Sequence, residues 1–240
     1  MAGPMKYSEL TERKLKAAVD YNLYFENDSY NGVRTTLLEV GKINLPTGRI
    51  IACDPLKTLG DGEEICIPFE HAVDPGDYPV TLCVARGSTA VGGDRYAAAR
   101  IRFSDKRPVK WLLALRGNEN LADLSQDGDY FGYPVEDGVG CFVDAGGRDT
   151  YLRFCGFMKS YEKNLYDDYF RDLFTESFET YPANQREGGD WFNSLIPGDD
   201  QINLVVFQAG FGDGIYPCYW GLDEENNVSQ LIADFFVLQG

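Results

Sequence analysis

The sequence predicts an α+β fold built mainly from antiparallel, sandwich-like β-sheets, with an N-terminal helix and one further helix near residues 159–181. Three observations carry this. The chain closes on Ile202–Leu238, an apolar, aromatic-rich stretch cut by turn residues at Gly212-Asp213-Gly214 and at Asp223–Asn227. It reads as three strands and two tight turns, because glycine accepts the positive φ that hairpin turns require. Earlier strand-like runs follow one another across short Gly, Pro and Asp punctuation, too closely for the helical crossovers of a parallel sheet. Only two stretches show helical spacing of apolar residues.

The first is Ser8–Asp20, where Ser8 is placed to cap and Leu15, Ala18 and Val19 fall on one face. The aromatic cluster Tyr21, Leu23, Tyr24 and Phe25 then docks this helix on the body. Strands are predicted at Leu37–Leu45, Arg49–Cys53 and Tyr78–Ala85, with Pro79 at a strand start or edge for want of an amide donor. Arg95–Phe103 and Val109–Arg116 read as the next strand pair, with Arg100 and Arg102 on one face and Ile101 and Phe103 on the other. Lys57–Glu64 and Arg86–Gly93 read as loops. Lys159–Tyr181 is the second helix, its face marked by Leu165, Tyr169, Phe170, Leu173, Phe174 and Phe178. In the closing strand, Val228, Gln230, Ile232 and Asp234 alternate with Leu231, Ala233 and Phe235, so the strand is apolar on both faces and is predicted to be central and covered. The expectation is one domain over residues 1–240, with 1–35 packed on a β-rich body spanning 36–240.

Charge narrows the partners. Lys and Arg total 22 against 38 Asp and Glu, a net of −16. Residues 1–120 hold 16 of each sign, so all the excess falls in residues 121–240, with 6 basic and 22 acidic side chains. Such a field repels nucleic acid and anionic membranes and attracts basic proteins. No apolar run reaches the ~20 residues of a membrane span. The first residues lack the apolar core of a secretory signal, which points to a cytoplasmic protein. The six cysteines form no C-x-x-C pair and read as reduced, buried, small hydrophobes.

Several segments carry a resemblance: LPTGRIIACDP (Leu45–Pro55), DPGDYPV (Asp74–Val80), the run from Ala97 to Trp111, GYPVEDGVGCFVD (Gly132–Asp144) and GFGDGIYPCYWGLDEENNVSQLIADF (Gly210–Phe235). In this order they resemble the bacterial family known as domain of unknown function 4241, from about Gly41 onward. That family has no activity attached to it, so the resemblance implies no catalytic residues.

Candidate chemistry centres on acids. Asp54, Asp137, Asp144, Asp213, Asp223 and Asp234 mostly end strand-like runs or adjoin glycine. Convergence of Asp137, Asp144 and Asp213 would suit Ca²⁺ or Mg²⁺ and a metal-dependent hydrolase. Turn chemistry competes for the same residues, because Asp side chains bond their own turn amides. Asp234 inside LIADFFVL needs a buried partner, and Arg100 or Arg49 is expected to supply it. His71, the one histidine, would need Cys53, Cys66 or Cys83 beside it to make a nucleophilic pair. Gly210–Gly214 lacks a following helix and so offers no phosphate cradle. The leading expectation is therefore non-enzymatic: no metal, no cofactor, and an acidic face that binds a basic protein, with an immunity protein neutralising a toxin as its concrete form. Asp199, Asp200, Asp223, Glu224 and Glu225 would supply the charge, and Trp191 and Tyr219 the aromatic anchors.

Overall fold

The computed structural model describes residues 3–57, 59, 67–87 and 93–239. The loops expected at Lys57–Glu64 and Arg86–Gly93 fall largely outside them, as does Cys66. Helix α1 (Glu9–Leu15) and the short α2 (Asn22–Glu26) open the chain. Strands β1 (Ser29–Tyr30), β2 (Val33–Leu45), β3 (Ile50–Cys53), β4 (Gly76–Ala85), β5 (Arg95–Arg102), β6 (Lys110–Leu113), β7 (Tyr133–Val135) and β8 (Val139–Asp144) follow. Next come α3 (Arg148–Ser160), a π-turn (Tyr166–Phe170) running into α4 (Arg171–Thr180), β9 (Trp191–Leu195), β10 (Asn203–Gln208), β11 (Gly214–Tyr216), β12 (Cys218–Leu222) and β13 (Val228–Asp234). The fold is α+β and β-rich. All strand pairs are antiparallel, in sheets ordered β1-β2-β4-β5-β13-β12-β6, β3-β8-β10-β9 and β11-β7.

Alternation along the strands stacks four layers. One face of the seven-stranded sheet carries Ala97, Ala99, Ile101, Leu231 and Ala233, and packs on Ile50, Ala52, Phe142 and Phe207 of the four-stranded sheet. The rings of Phe207 and Phe235 meet at 5.7 Å across this interface. The opposite face of the small sheet, with Ile51, Cys141, Val143, Leu204, Val206 and Phe192, forms a second core under Tyr151, Phe170 and Phe174 of the helices. The opposite face of the large sheet carries Ala98, Arg100, Ile232 and Asp234 and lies under the N-terminal arm. This arrangement explains why β13 is buried on both sides, as its sequence predicts.

Four expectations are corrected. The N-terminal helix ends at Leu15 rather than Asp20, because Lys16 and Ala17 go extended and pair with the free edge of β6 at Leu112 and Trp111. Strands β5 and β6 do not pair with one another: β13 and β12 lie between them. The Gly212-Asp213-Gly214 turn joins no hairpin, since β10 pairs with β8 and β9 while β11 pairs with β7; the closing segment holds four strands, of which only β12 and β13 form a hairpin. The single helix expected over 159–181 is broken: α3 covers 148–160, residues 161–165 form a turn, and helix resumes only from Tyr166; α3 escapes the sequence pattern because only Tyr151 and Met158 of its 13 residues are buried. Pro79 pairs with Lys42 of β2 but lies one residue outside the β4–β5 register, which begins at Val80↔Ile101, so it stands at the end of the ladder with β5. Gly189 is required by α4: it has φ +87°, and a Cβ there would meet the Phe174 carbonyl at 2.0 Å. No helix of the described residues is long and apolar enough to cross a membrane.

Candidate functional site

The most unusual group is Asp234, fully buried at the end of β13. The chain turns sharply there, with Phe236 at φ +58°, and Asp234 Oδ1 accepts the Phe236 amide at 3.0 Å. Its Oδ2 accepts the Tyr21 hydroxyl at 2.7 Å and the Gln239 carboxamide. The expected arginine partner is replaced by these neutral donors. Arg49 is exposed elsewhere. Arg100 stands one strand over, opposite Ile232; its guanidinium lies 4.1 Å from the centre of the Phe25 ring and donates to Thr81 at 3.4 Å. Neutral donors satisfy the carboxyl without desolvating a second charge. Burial outweighs all three of them and pushes the Asp234 carboxyl up to about 6. Burial first, and then the Asp234 charge, raise the hydroxyls of Tyr21, Tyr24 and Tyr219 well above the ordinary tyrosine value.

Above Tyr21 lies a groove of ≈ 530 Å³ between the arm and the loop Leu124–Tyr130. Leu113, Tyr219 and Phe236 form its floor, Arg13 and Lys16 stand on the arm side, and Asp127 and Asp129 stand on the loop side. The Tyr21 and Tyr219 rings lie 5.1 Å apart, and Tyr130 meets Phe236 at 5.1 Å. Lys14 donates to the Leu121 carbonyl at 2.9 Å and ties the arm to the loop region. Asp129 accepts the amides of Ser125 and Gln126, which hold its carboxyl below the usual range.

The acids and aromatics expected to form one binding face have different employments. Asp223 is buried, accepts the Glu225 and Asn227 amides and meets Lys106 at 3.0 Å, so it builds the β12–β13 turn. Glu225 is exposed but shares Lys106, and Glu224 is exposed. Asp199 accepts the Gln201 and Ile202 amides in the β9–β10 hairpin, where Asp200 is exposed. Trp191 is 95% covered, under the Tyr181 ring at 5.7 Å, and is no surface anchor. Tyr219 is half-buried on the groove floor. Of the seven, Asp200, Glu224 and Glu225 present their charge openly.

Asp137, Asp144 and Asp213 are not gathered. Asp144 is buried and holds the Thr47 hydroxyl and the Gly146 amide, each at 2.7 Å, capping a short 3₁₀ turn. Asp137 is exposed and lies 3.7 Å from Lys57, and Asp213 is exposed. Asp54 accepts the amides of Leu56, Glu136 and Asp137, the turn role its Asp-Pro setting suggests. Among the described residues no three His, Cys, Asp or Glu side chains are grouped to hold a metal ion. His71 lies against the Trp220 ring at 5.6 Å, and burial lowers its pKa. Cys53 faces Cys141 at 3.5 Å, and Cys83 faces the Tyr24 carbonyl at 3.3 Å, so neither meets His71.

Sequence reasoning missed the most exposed aromatic pair. Phe157 near the end of α3 and Tyr161 at its C-cap meet at 4.8 Å with tilted rings, and are 57% and 66% exposed. Their i, i+4 spacing is the signal that would have found them.

The family pattern of DUF4241, a protein of unknown function, matches residues 43–233. No curated protein and no solved structure matches the chain. The arm, Tyr21, β1, most of β2 and the Asp234–Gln239 end lie outside the matched span, while β3 to β12, nearly all of β13 and the helical cover lie within it. By that match the chain belongs to the DUF4241 family.

Proposed function

We propose that this chain is a cytoplasmic, non-catalytic binding protein for a basic partner, and that an immunity protein neutralising a basic toxin is its concrete form. One observation carries the reading: Phe157 and Tyr161, both more than half exposed and in ring contact, lie in the half of the chain that holds all the net negative charge. Adjacent exposed rings are the usual anchors of an interface, and excess charge of one sign speeds encounter with the opposite sign. Exposed Glu162 and Asp167 stand close by in sequence. Glu162 makes no ion pair among the described residues, and Asp167 pairs only with the exposed Arg171 at 3.2 Å. The acids of the β9–β10 and β12–β13 hairpins contribute long-range field rather than contact.

The test is co-expression with each basic protein encoded beside this gene, followed by association kinetics. A complex is expected whose association slows several-fold when salt rises from low to physiological strength, where the Debye length is about 8 Å. Charge removal at Asp200, Glu224 and Glu225 should slow it at low salt, and Phe157→Ser should speed dissociation. Failure of every neighbouring product to bind, or an association rate indifferent to salt, sinks the reading.

A further inference from the structure

The groove between the arm and the Leu124–Tyr130 loop has no role in the binding surface just described. The arm and the helical cover lie on opposite outer faces of the sandwich. We propose that this groove is a binding site for a zwitterionic ligand of the amino-acid or short-peptide class, with its ammonium toward Asp127 and Asp129, its carboxylate toward Arg13 and Lys16, and its apolar part on Leu113, Tyr219 and Phe236.

Its size falls within the ~300–1,000 Å³ typical of small-molecule sites. The two walls carry opposite charge along one cavity. Among the described residues Arg13, Lys16 and Asp127 make no ion pair, and all three are exposed, so their charges are available to a ligand. A ligand with only negative charge meets the loop acids and the −16 net charge of the chain. A ligand with only positive charge meets the arm. A zwitterion satisfies both walls and gains apolar burial on the floor. The floor is also polar at one point, because Tyr219 lines the groove beside Tyr21, whose hydroxyl is committed to Asp234. The groove is rigid where the ligand would rest: Lys16 and Ala17 are paired to β6, and Tyr21 is anchored on Asp234.

The experiment is calorimetric titration of the full chain with three probes: trileucine, N-acetyl-trileucine and trileucine amide. Saturable one-to-one binding is expected for trileucine, with each capped form weaker by about tenfold or more, the loss that accompanies one charged hydrogen bond. Lys16→Glu and Asp127→Lys should each weaken trileucine by a similar factor. Both positions are exposed, so thermal midpoints should stay at the parent's value and confirm the fold. Equal binding of all three peptides would reduce the groove to an apolar surface and overturn the proposal. So would the absence of saturable binding, or binding that ignores both substitutions. Each of these outcomes leaves the basic-partner reading standing, because its test concerns Phe157, the hairpin acids and a protein.

Discussion

On one outside of the sandwich the arm lays Leu15, Tyr21, Tyr24 and Phe25 against the seven-stranded sheet; on the other, the helices lay Tyr151, Phe170 and Phe174 against the four-stranded sheet. The helical cover is held by apolar packing, with Phe170 and Phe174 edge-on to Phe192 at 5.0 and 4.9 Å. Its buried Tyr151 hydroxyl donates to the Pro55 carbonyl at 2.8 Å, a contact between neutral groups. The arm instead closes on an ionisable group, with Tyr21 on Asp234. Apolar packing is indifferent to pH and fills whatever shape is present. A buried carboxyl is directional and titrates, so the arm is keyed to one position and its hold depends on proton concentration.

The largest expected effect is on the helical side. Phe174→Ala removes a ring that is 1% exposed and leaves a cavity between α4 and β9, so it should cost about 3–5 kcal/mol in urea unfolding. A loss below about 1 kcal/mol would mean that the helices collapse onto the gap, and that packing is not what fixes this cover.

The next effect belongs to the arm and is a pH dependence. The Asp234 carboxyl is raised from 3.8 to about 6 on folding. The folded chain therefore holds this proton more tightly than the unfolded chain. The stability it confers is fully present below about pH 4, falls as pH rises toward and through 6, and levels off above that. A rise of this size corresponds to about 3 kcal/mol. Asp234→Asn cannot ionise; its single amide oxygen can accept the Phe236 amide, and its NH2 then faces the Tyr21 hydroxyl, which can rotate to accept from it. The difference in unfolding free energy between parent and variant should therefore move by about 2.5 kcal/mol in favour of the variant between pH 4 and pH 7. Carboxyls held low, such as those of Asp223, Asp129 and Asp168, act with the opposite sign at acidic pH. They are common to both proteins and cancel in the difference. Parallel pH curves would show that Asp234 is reached by water and that the arm is no more titratable than the helices.

The two covers also differ in how far the sequence discloses them. The arm's capped helix and aromatic cluster are legible, because Ser8 does accept the Thr11 amide and Tyr21, Tyr24 and Phe25 are buried. Asp234 is legible as a buried acid from its place in a doubly apolar strand. Its partner is not: a carboxyl suggests arginine, whereas tyrosine and glutamine hydrogen-bond it without a sequence signature, the tyrosine from a separation of 213 residues. The groove was invisible for the same reason, since it joins Arg13 and Lys16 to Asp127 across the chain. On the helical side, the π-turn and α4 declare themselves through Phe170, Leu173 and Phe174, while α3 does not, because only two of its residues are buried. Strand identity was clearer than strand pairing. The alternation is local, but the placing of β12 and β13 between β5 and β6 is decided by which faces must be buried together.

The smallest expected effect separates what the helical cover does for the fold from what its outer surface is for. Phe157 and Tyr161 touch one another and water. Neither belongs to the two buried cores. Replacing both with serine removes exposed apolar area that folding does not bury, so unfolding free energy should stay within about 0.5 kcal/mol of the parent. The helix itself should persist, because Tyr151 and Met158 remain to hold α3 down. If stability falls by about 2 kcal/mol or more, a loss expected only of buried groups, the pair packs on the body in solution, and its exposure cannot serve a partner. If stability holds while dissociation from a basic partner quickens, the inner face of the helical cover maintains the fold and its outer face is kept for recognition, a division of labour the arm does not show, since its anchoring tyrosine also lines the groove.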